Sequence, residues 1–559
     1  MIQKFSKISG LEVNKTKSEC MVLEYETGFG ILSDDMFGIP IVNNLKVLGH
    51  YYGKDKIICD YQNFYSKLPK METIFNIWRQ RPLTIFGKNT LINSLINALF
   101  LFNSQIEIPP PAFIKIVDKN NKNFLWGGGT PKIAHVSIIA DYQDGGIRYK
   151  DLDCFISSIN VKFLLNLTGE KKSRSSVLPQ VWLNTMFKVP SEYANEAQKY
   201  MYDFFRESLN ILDCKVNLPR KCNWRGHPFY FETLKSFHKI TSKLPQSLEN
   251  TLSIPIWFNK HLKTKFDIEI SKAGFNFVKD LYPENRRLTL NEPDLSPSKV
   301  RKLQRIIDIV PPLWENCIVN SAVKCTVVSP RQTVSLNEND YFVQHMGSDK
   351  MYSILVSKVV KTPTGVLRWR SEFDMVLSEQ QLKTSLTFAK GCGCPIFDQV
   401  FQYKIVCQIL PTQKYLNRYL VADSDLCTKC LVFQDTVYHR LWHCGRLTLH
   451  LAACFEFLKT ECNLLDQITC EKYLFGFEGI KREGINHILL ELKKLLFYEW
   501  SSEVGGIAFC ERFRSKIKSV IIKEKVIAQT NDRFSAFNEK WDTFTAFYDF
   551  RGPDMQIYS

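Results

Sequence analysis

The sequence lacks any long uncharged apolar run. The longest such stretch extends from Leu91 to Phe102 and contains Asn93 and Asn97. It is shorter than the ~20 residues that cross a bilayer as a helix. The N-terminus also lacks the basic and then apolar pattern of a secretory signal. These absences predict a protein with no membrane segment, located in the nucleus, the cytoplasm or both.

The cysteines form no disulfide framework. The 559 residues include 17 cysteines, an odd number scattered along the chain, which favours reduced thiols over paired disulfides. The sequence also has no sustained internal repeat and no long low-complexity tract. Because 45% of the residues are hydrophobic, we expect a globular protein with buried cores, and 559 residues are enough for about three or four domains of ~100–200 residues each.

The charge of the chain is strongly positive and unevenly distributed. The formal net charge is +16, and residues 171–300 contribute 21 Lys and Arg against 13 Asp and Glu, a net +8. This excess favours a polyanionic partner, with the middle region as the candidate for phosphate contacts. A pI near 9.0 is also common among ordinary proteins, so charge alone does not identify nucleic acid as the partner.

The stretch from Cys427 to Cys444 has the spacing of a zinc site, C-x2-C-x8-H-x4-C. Three thiolates and one imidazole suit a tetrahedral, borderline-soft dication. Four protein ligands leave no open position for substrate, so the predicted role of the zinc is structural. The candidate ligands are Cys427, Cys430, His439 and Cys444.

Two alternatives remain for this stretch. His443 offers a competing set, C-x2-C-x8-H-x3-H, and in a cysteine-rich chain the spacing can also arise by chance. The flanking residues favour a small unit closed by a metal, because the apolar Leu441 and Trp442 are expected to pack over it.

The same stretch resembles the C-terminal zinc finger of LINE-type (non-LTR) retrotransposon reverse transcriptases. In that family C-x2-C is followed by Glu or Asp with Thr, then by His-Leu-aromatic and a final Cys. Asp435-Thr436 and His439-Arg440-Leu441-Trp442 occupy these places. Three further segments resemble the family's flanks of the finger: Phe401 to Leu420, Tyr473 to Gly479 and His487 to Trp500.

The N-terminal segment SGLEVNKTKSECMVL resembles the palm segment that follows the catalytic hairpin of these enzymes. A helix is predicted to end at Ser9-Gly10, and a strand is predicted from Ser18 to Tyr25. The resemblance implies that Lys17 lies near the incoming triphosphate. On the residues alone, the segment is only a helix stop and a turn. The matching residues are Gly10, Leu11, Asn14, Lys17 and Ser18.

Residues 46–53, KVLGHYYG, predict a β-hairpin that resembles the family's primer grip. The resemblance implies that Leu48 and Gly49 contact nucleic acid, because a glycine lets backbone approach a strand closely. A plain hairpin explains the same pattern.

From Tyr61 to Phe102 the pattern is helical, and residues 78–88, WRQRPLTIFGK, resemble the thumb signature W-x2-R-x-L-x3-G-K. Arg81 and Lys88 flank a turn into a helix, a suitable position for binding backbone phosphates. The alternative is two solvated charges at a helix boundary. Further helices are predicted over Ala112 to Trp126, Lys350 to Lys358, His487 to Trp500 and Arg512 to Ile527.

Two other stretches bear on nucleic-acid binding. Gly127 to Gly129 lack the preceding strand and the following Lys-Ser/Thr of a phosphate loop, so they predict only a break between elements. In the aromatic and basic patch of residues 221–230, Lys221, Trp224 and Arg225 are candidates for base stacking and phosphate contact. Aromatic residues at this density also make buried cores, which is the alternative.

The chain lacks the carboxylates that a polymerase of this kind requires. Such enzymes hold paired Mg2+ with two or more carboxylates, which in the family lie N-terminal to the segment that matches Gly10. Asp34-Asp35 follows that segment and lacks the aromatic lead-in of the catalytic hairpin, so the pair predicts a turn. No endonuclease signature is present either. We therefore expect no Mg2+ site and no polymerase activity from this chain alone.

The predicted fold class is α+β and predominantly α-helical, with a small β remnant of a palm, a helical thumb and a zinc knuckle. The predicted function is a nucleic-acid-binding fragment of a LINE-type reverse transcriptase that binds RNA or DNA, with a partner to supply the missing palm. The alternatives are a host-adopted protein-interaction module and a truncated gene model of an active polyprotein. The predicted regions are 1–60, 61–168, 169–330, 331–425 and 426–559.

Overall fold

The computed structural model describes residues 7–10, 14–21, 35–168, 228–240, 251–288, 296–321, 333–342 and 347–547, apart from short gaps inside these ranges. The candidates Lys221, Trp224 and Arg225 lie outside the described residues. The chain divides into two compact units. Unit 1 comprises Met1–Ile74, Leu95–Lys119 and Lys150–Lys358, and unit 2 comprises Phe75–Ser94, Asn120–Tyr149 and Val359–Ser559.

Helices predominate among the described residues, as the sequence predicts. Several begin where a side chain accepts hydrogen bonds from first-turn N–H groups, for example at Asp55, Thr84 and Thr412. The helices are α1 Lys56–Asn63, α2 Leu68–Arg79, α3 Ile85–Leu91, α4 Ala98–Ser104, α5 Pro111–Trp126, α6 His135–Ile138, α7 Leu152–Thr168, α8 Pro228–Ile240, α9 Ile268–Lys272, α10 Val278–Leu281, α11 Pro297–Asp308, α12 Pro312–Val319, α13 Ser348–Ser357, α14 Thr364–Phe373, α15 Glu379–Gly391, α16 Ile396–Val406, α17 Gln413–Arg418, α18 Thr448–Thr460, α19 Cys470–Phe475, α20 Glu483–Tyr498, α21 Gly506–Thr530 and α22 Phe534–Trp541.

Strands in the described part of the chain form two-stranded antiparallel hairpins: β1 Asp35–Met36 with β2 Ile39–Pro40, β3 Asn44–Val47 with β4 His50–Gly53, and β5 Thr333–Leu336 with β6 Asn339–Phe342. The predicted hairpin at residues 46–53 is confirmed. Its two-residue turn is Leu48-Gly49, with φ of 49° and 87°. Two consecutive positive φ values match the turn that suits the twist of a hairpin, and glycine adopts such a value without strain.

The N-terminal segment has the local structure that its residues predict. Residues 7–9 are helical, and Gly10 has a φ of +69°, as a helix stop requires. Asn14 then caps a single 3-10 turn, Lys15–Lys17, through its Oδ1. Half of the predicted strand from Ser18 to Tyr25, residues 22–25, lies outside the described residues, and in the other half Cys20 forms an isolated parallel bridge with Ile41.

In unit 1, the side chain of Asn63 holds the β3–β4 hairpin to the helices. Its Oδ1 accepts from the Tyr51 N–H at 2.8 Å and from Asn103 Nδ2 at 3.1 Å. Its Nδ2 donates to the Tyr51 carbonyl at 2.9 Å and lies 3.2 Å from His50 Nε2. Because Asn63 is fully buried, these bonds replace all of its contacts with water.

One helical stretch, Ile85–Ser104, is long and apolar enough to cross a membrane by length and composition. This stretch is longer than the apolar run from Leu91 to Phe102, because the π-helix Ile92–Ile96 joins α3 to α4. A helix in the core of a soluble protein passes the same test. Three buried asparagines, Asn89, Asn97 and Asn103, lie along the stretch. Asn89 donates to the Ile147 carbonyl at 2.6 Å, and Asn103 bonds Asn63.

Unit 2 has its largest core near the C-terminal end of the chain. Trp369, Tyr473 and Trp541 are fully buried there, together with the apolar faces of α20 and α21. The indole N–H of Trp369 donates to the Val406 carbonyl at 2.9 Å, so its single polar group is satisfied inside the core.

Residues 252–318 of unit 1 form a separate small core around Trp257 and Trp314. Asp267 precedes α9 and accepts from the N–H groups of its first turn. Its Oδ2 also accepts from Lys299 Nζ at 2.8 Å and Lys302 Nζ at 2.6 Å. Burial by itself would raise the pKa of Asp267, but the two ammonium groups lower it to about 2.

Replacing Asp267 should therefore weaken this core in a pH-dependent way. Its folded-state pKa is below the ~3.9 of an unfolded chain, so its contribution is present above that pH and disappears as the pH falls towards 2. We expect Asp267→Asn to cost about 1–2 kcal/mol at neutral pH, because the two lysines are partly exposed and their attraction is screened. Hydrogen exchange of residues 252–318 in the full chain measures the loss.

The control is Asp308→Asn, which removes a half-exposed carboxylate that pairs with Arg287 and should have little effect. The assignment would be contradicted if the difference in unfolding free energy between Asp267→Asn and the unchanged chain stayed constant down to about pH 3. At that pH the carboxylate is largely protonated in the unfolded chain, so much of its contribution should already be lost.

Candidate functional site

The cysteine-rich stretch folds into a short loop followed by a helical turn. The loop is closed by the antiparallel bridge between Leu426 and Gln434. Inside it, the Cys427 N–H donates to the Phe433 carbonyl at 2.8 Å, and the Leu431 N–H donates to the Cys427 carbonyl at 2.9 Å. Leu431 has a φ of 56°, so the chain reverses sharply after the C-x2-C pair.

The helical turn that follows positions the other two candidate ligands. Thr436 Oγ1 accepts from the His439 N–H at 3.0 Å and begins the turn. Residues His439–His443 form a π-helix, in which the Cys444 N–H donates to the His439 carbonyl at 2.9 Å. This wide turn returns Cys444 to the same side as His439, which the ordinary helical spacing would not do.

The four predicted ligands converge on one point. Cys427 Sγ lies 3.9 Å from Cys444 Sγ, and Cys430 Sγ lies 3.4 Å from His439 Nε2. All four ligand atoms lie within 4.8 Å of one another. A tetrahedral zinc with ordinary bond lengths has edges of about 3.8 Å between two sulfurs and about 3.6 Å between sulfur and nitrogen. The cluster can therefore hold a metal ion of that size and geometry.

The backbone stabilises negative charge on the first pair of sulfurs. Cys427 Sγ accepts from the N–H groups of Lys429 and Cys430 at 3.4 and 3.5 Å. Burial tends to raise the pKa of the Cys430 thiol, but donation from the N–H groups of Phe433 and Val432 brings it below its ordinary value. Hydrogen bonds of this kind favour the thiolate form, which is the form that binds metal.

His443 lies beside the cluster and does not belong to it. Its Nδ1 is 3.4 Å from Nδ1 of His439, the ring nitrogen opposite to the one that faces Cys430. The exposed imidazole of His443 stacks on Tyr438, with ring centroids 5.6 Å apart. Of the two ligand sets in the sequence, the structure therefore brings together the one that ends in Cys444 and not the one that ends in His443.

A buried ion pair joins this site to the core of unit 2. Asp435 is fully buried, and Arg440 donates to both of its carboxylate oxygens, with Nε 3.0 Å from Oδ1. The N–H of Gln413, the first residue of α17, also donates to this carboxylate at 2.8 Å. The guanidinium of Arg440 covers the rings of Trp500 and Phe497 at 5.1 and 5.4 Å.

The two apolar residues that follow Arg440 belong to the core of unit 2. Leu441 is fully buried, and the ring of Trp442 lies 5.5 Å from that of Tyr473. The indole N–H of Trp500 donates to Thr428 Oγ1 at 3.1 Å. The site therefore shares the core of unit 2 and is not a separate small unit.

The predicted nucleic-acid residues fall in different places. In unit 1, Lys17 is exposed in its 3-10 turn, and Leu48 and Gly49 form an exposed hairpin turn. In unit 2, Arg81 and Lys88 line one groove of about 590 Å³ together with Gly127 and Gly128. The Arg81 guanidinium lies over Trp78 at 4.6 Å, and the Lys88 ammonium lies 5.7 Å from the centroid of the Phe124 ring. Their contact with nucleic acid stays a prediction.

Sequence reasoning missed a second group of buried ionisable residues. Oxygen and nitrogen atoms of Asp398, His487 and Glu491 also lie within 4.8 Å of one another. Two lysines already pair with these carboxylates, so ion pairs account for the group: the Lys494 ammonium lies 2.6 Å from Asp398 and 2.8 Å from Glu491, and the Lys516 ammonium lies 3.6 Å from Glu491. The spacing of His487 and Glu491 on one helical face was the only signal in the sequence, since Asp398 is distant along the chain.

Truncating Asp435 should destabilise unit 2, because it leaves the Arg440 guanidinium buried without its partner. Breaking a buried pair in this way costs ~3–5 kcal/mol, so we expect Asp435→Ala to lower the midpoint of thermal unfolding by several degrees. Asp423→Asn is the control, since Asp423 is exposed and lies just upstream. Equal midpoints for the two variants would show that the ion pair contributes nothing.

No protein-family model matches this chain. Its function is therefore inferred from the chemistry and geometry of the residues described above.

Proposed function

We propose that the chain binds single-stranded nucleic acid, as the nucleic-acid-binding part of a LINE-type reverse transcriptase, and that a structural zinc closes its C-terminal site. The observation that carries the proposal is the convergence of Cys427, Cys430, His439 and Cys444, with all ligand atoms within 4.8 Å of one another. Three sulfurs and one imidazole nitrogen favour Zn2+ over the harder Mg2+ and Ca2+. With four protein ligands, zinc at this site would hold the fold and would not activate water.

Nucleic acid is the proposed partner because positive charge is available at a second place in unit 2. The groove that contains Arg81 and Lys88 faces solvent, and neither side chain forms an ion pair with a carboxylate among the described residues. A net charge of +16 adds a long-range attraction for phosphate. We assign the chain binding and no polymerisation, because none of the residues that carry the family resemblance is a magnesium-binding carboxylate.

A protein-interaction module is the second candidate function. Leu431, Val432 and Phe433 at the tip of the cysteine loop are 72%, 68% and 53% exposed. Three adjacent apolar side chains in water favour contact with an apolar surface of another protein. The two functions differ in their response to salt, because only phosphate binding releases condensed cations.

Removing a ligand should abolish zinc binding. We expect Cys430→Ala to lose stoichiometric zinc, as measured by elemental analysis of the purified protein, and to become protease-sensitive around residues 420–450. The matched control is Cys454→Ala, since Cys454 is a buried core cysteine outside the cluster and should keep its zinc. Because the site shares the core of unit 2, we also expect a lower thermal midpoint for the whole unit.

The two histidines provide the internal test. His439→Ala should lose the metal and His443→Ala should retain it, because only His439 turns a ring nitrogen towards Cys430. Loss of the metal in His443→Ala, with retention in His439→Ala, would identify His443 as a ligand instead. If both Cys427→Ala and Cys430→Ala still bound one zinc per chain, the assignment of this zinc site would be refuted.

Nucleic-acid binding should weaken steeply with salt. Each neutralised phosphate contributes ~0.7 to the slope of log affinity against log salt for a single strand, so Arg81→Gln should reduce the slope by about that amount. Arg533→Gln, an exposed arginine on the last part of unit 2, is the charge-matched control. An affinity that does not change with salt, or no binding at low salt, would favour the protein-interaction module. Fluorescence anisotropy with a labelled oligonucleotide measures both.

A further inference from the structure

A second groove of unit 2, of about 380 Å³, is lined mainly by residues of α14 and α17. In α14, Gly365 lies so close to the end of α16 that a Cβ there would overlap the Cys407 carbonyl. The next residue, Gln408, has a φ of 52°, a backbone conformation that strains most residues other than glycine. The contact of α14 with Cys407 and the reversal of the chain at Gln408 place the Gln408 side chain in the groove.

The amide of Gln408 is buried in the groove without a hydrogen-bond acceptor. Its side chain is nine-tenths buried, and Nε2 has no partner among the residues that the structure describes. The threonine and asparagine side chains of the same groove serve the fold instead: Thr412 and Thr436 accept from N–H groups of the turns that follow them, and Asn417 donates to a backbone carbonyl. A buried donor that lacks an acceptor disfavours the folded state, and a ligand that supplies the acceptor would remove that cost.

The more exposed residues of the groove carry an excess of positive charge. Arg368 and Lys414 share one carboxylate, that of Glu372, at 3.9 and 3.0 Å. Arg418 is exposed and forms no ion pair within the described ranges of the chain. Asp425, the other carboxylate of the groove, accepts from a side-chain amide at 2.8 Å. Three cations against two carboxylates favour a ligand with an anionic group at the solvent side.

We propose that this groove binds one nucleotide, with the base edge at the Gln408 amide, the base beside the half-buried ring of Tyr415 and the phosphate at Arg418. A neutral buried amide suits the edge of a base, whereas exposed guanidinium groups suit a phosphate. A volume of about 380 Å³ is within the range of small-ligand sites. The inference rests on the proposed function for the source of the nucleotide, an unstacked residue of a single strand; a free nucleotide is the other source.

Gln408→Met tests the amide, because it keeps the length of the side chain and removes its hydrogen bonds. The control, Gln467→Met, makes the same change at an exposed position outside the groove. The probes are the common nucleoside 5′-monophosphates, compared with inorganic phosphate at equal ionic strength. At least one nucleotide should raise the thermal midpoint of the unchanged chain and of Gln467→Met more than phosphate does, but not that of Gln408→Met. Without a probe, Gln408→Met should be at least as stable as the unchanged chain, since it removes an unpartnered buried donor.

Arg418→Gln tests the phosphate contact separately from the amide. It should weaken the binding of every nucleotide by a similar factor and keep their order of affinity, because the phosphate is common to all of them. Arg533→Gln removes an exposed arginine outside the groove and should leave nucleotide binding unchanged. Equal nucleotide binding by Arg418→Gln and Arg533→Gln would contradict the assigned orientation, and an equal response of Gln408→Met and Gln467→Met would overturn the site.

Labelled single-stranded homo-oligonucleotides of adenine, cytosine and thymine identify the source of the nucleotide. If it belongs to a strand, the unchanged chain should discriminate between them by about tenfold, and Gln408→Met should bind all of them alike. Oligonucleotide binding with the same preferences in both proteins, or with none, would overturn the site and leave the proposed function standing. Nucleotide binding without oligonucleotide binding would support the site and contradict the proposed function. If no nucleotide stabilised the unchanged chain, the site would be refuted.

Discussion

The ion pair between Asp435 and Arg440 is the interaction on which the cysteine site depends. Asp435 is fully buried, and a carboxylate in that position is tolerated only when its charge is neutralised and its oxygens are hydrogen-bonded. Arg440 and the N–H of Gln413 satisfy it, and Arg440 in turn lies over Trp500 and Phe497. The pair therefore links the cysteine loop, the π-helix, α17 and α20. The four ligand atoms are thereby placed against the core of unit 2, of which Cys427 and Cys444 are part.

Buried charged side chains in unit 2 fall into two groups, those that form ion pairs with a carboxylate and those that do not. Around α20 several buried charges have an ionic partner: Lys494 lies between Asp398 and Glu491, and Lys540 bonds Glu524. The buried Lys493 instead donates to oxygens of Gln402 and Leu474 and pairs with no carboxylate among the described residues. Such compensation is what a structural core needs. In the groove of Arg81, burial and the charge of Lys132 lower the pKa of Lys88, and no carboxylate in the part of the chain that the structure describes pairs with its ammonium. Folding gains nothing from that arrangement, and unfavourable charge that a fold retains is a mark of a binding surface.

Much of the local structure could be predicted because it depends on neighbouring residues. Leu48-Gly49 between two short strands predicts a hairpin, and the observed turn has positive φ at both positions. The proline run before Ala112 and the glycines after Trp126 predict both ends of α5. Near Asp35 the prediction was less accurate, since the residue begins a short strand and the turn comes after it. The side chains of Asp34 and Asp35 do not indicate which residues pair across the two strands, so the pairing of Asp35 with Pro40 could not be predicted from them.

The sequence by itself determined the helical character of the chain, the hairpin turn and the candidate ligands, because periodicity, turn residues and cysteine spacing are set within a few positions. It left Cys444 and His443 as alternatives for the last ligand, since each follows His439 within a few residues. Only the tertiary structure decided between them, because Cys444 Sγ lies 3.9 Å from Cys427 Sγ while His443 stacks on Tyr438. It also decided that Asp435 meets α17. Contacts between residues distant in sequence depend on how the segments pack to bury apolar surface, and a local sequence pattern does not specify that packing.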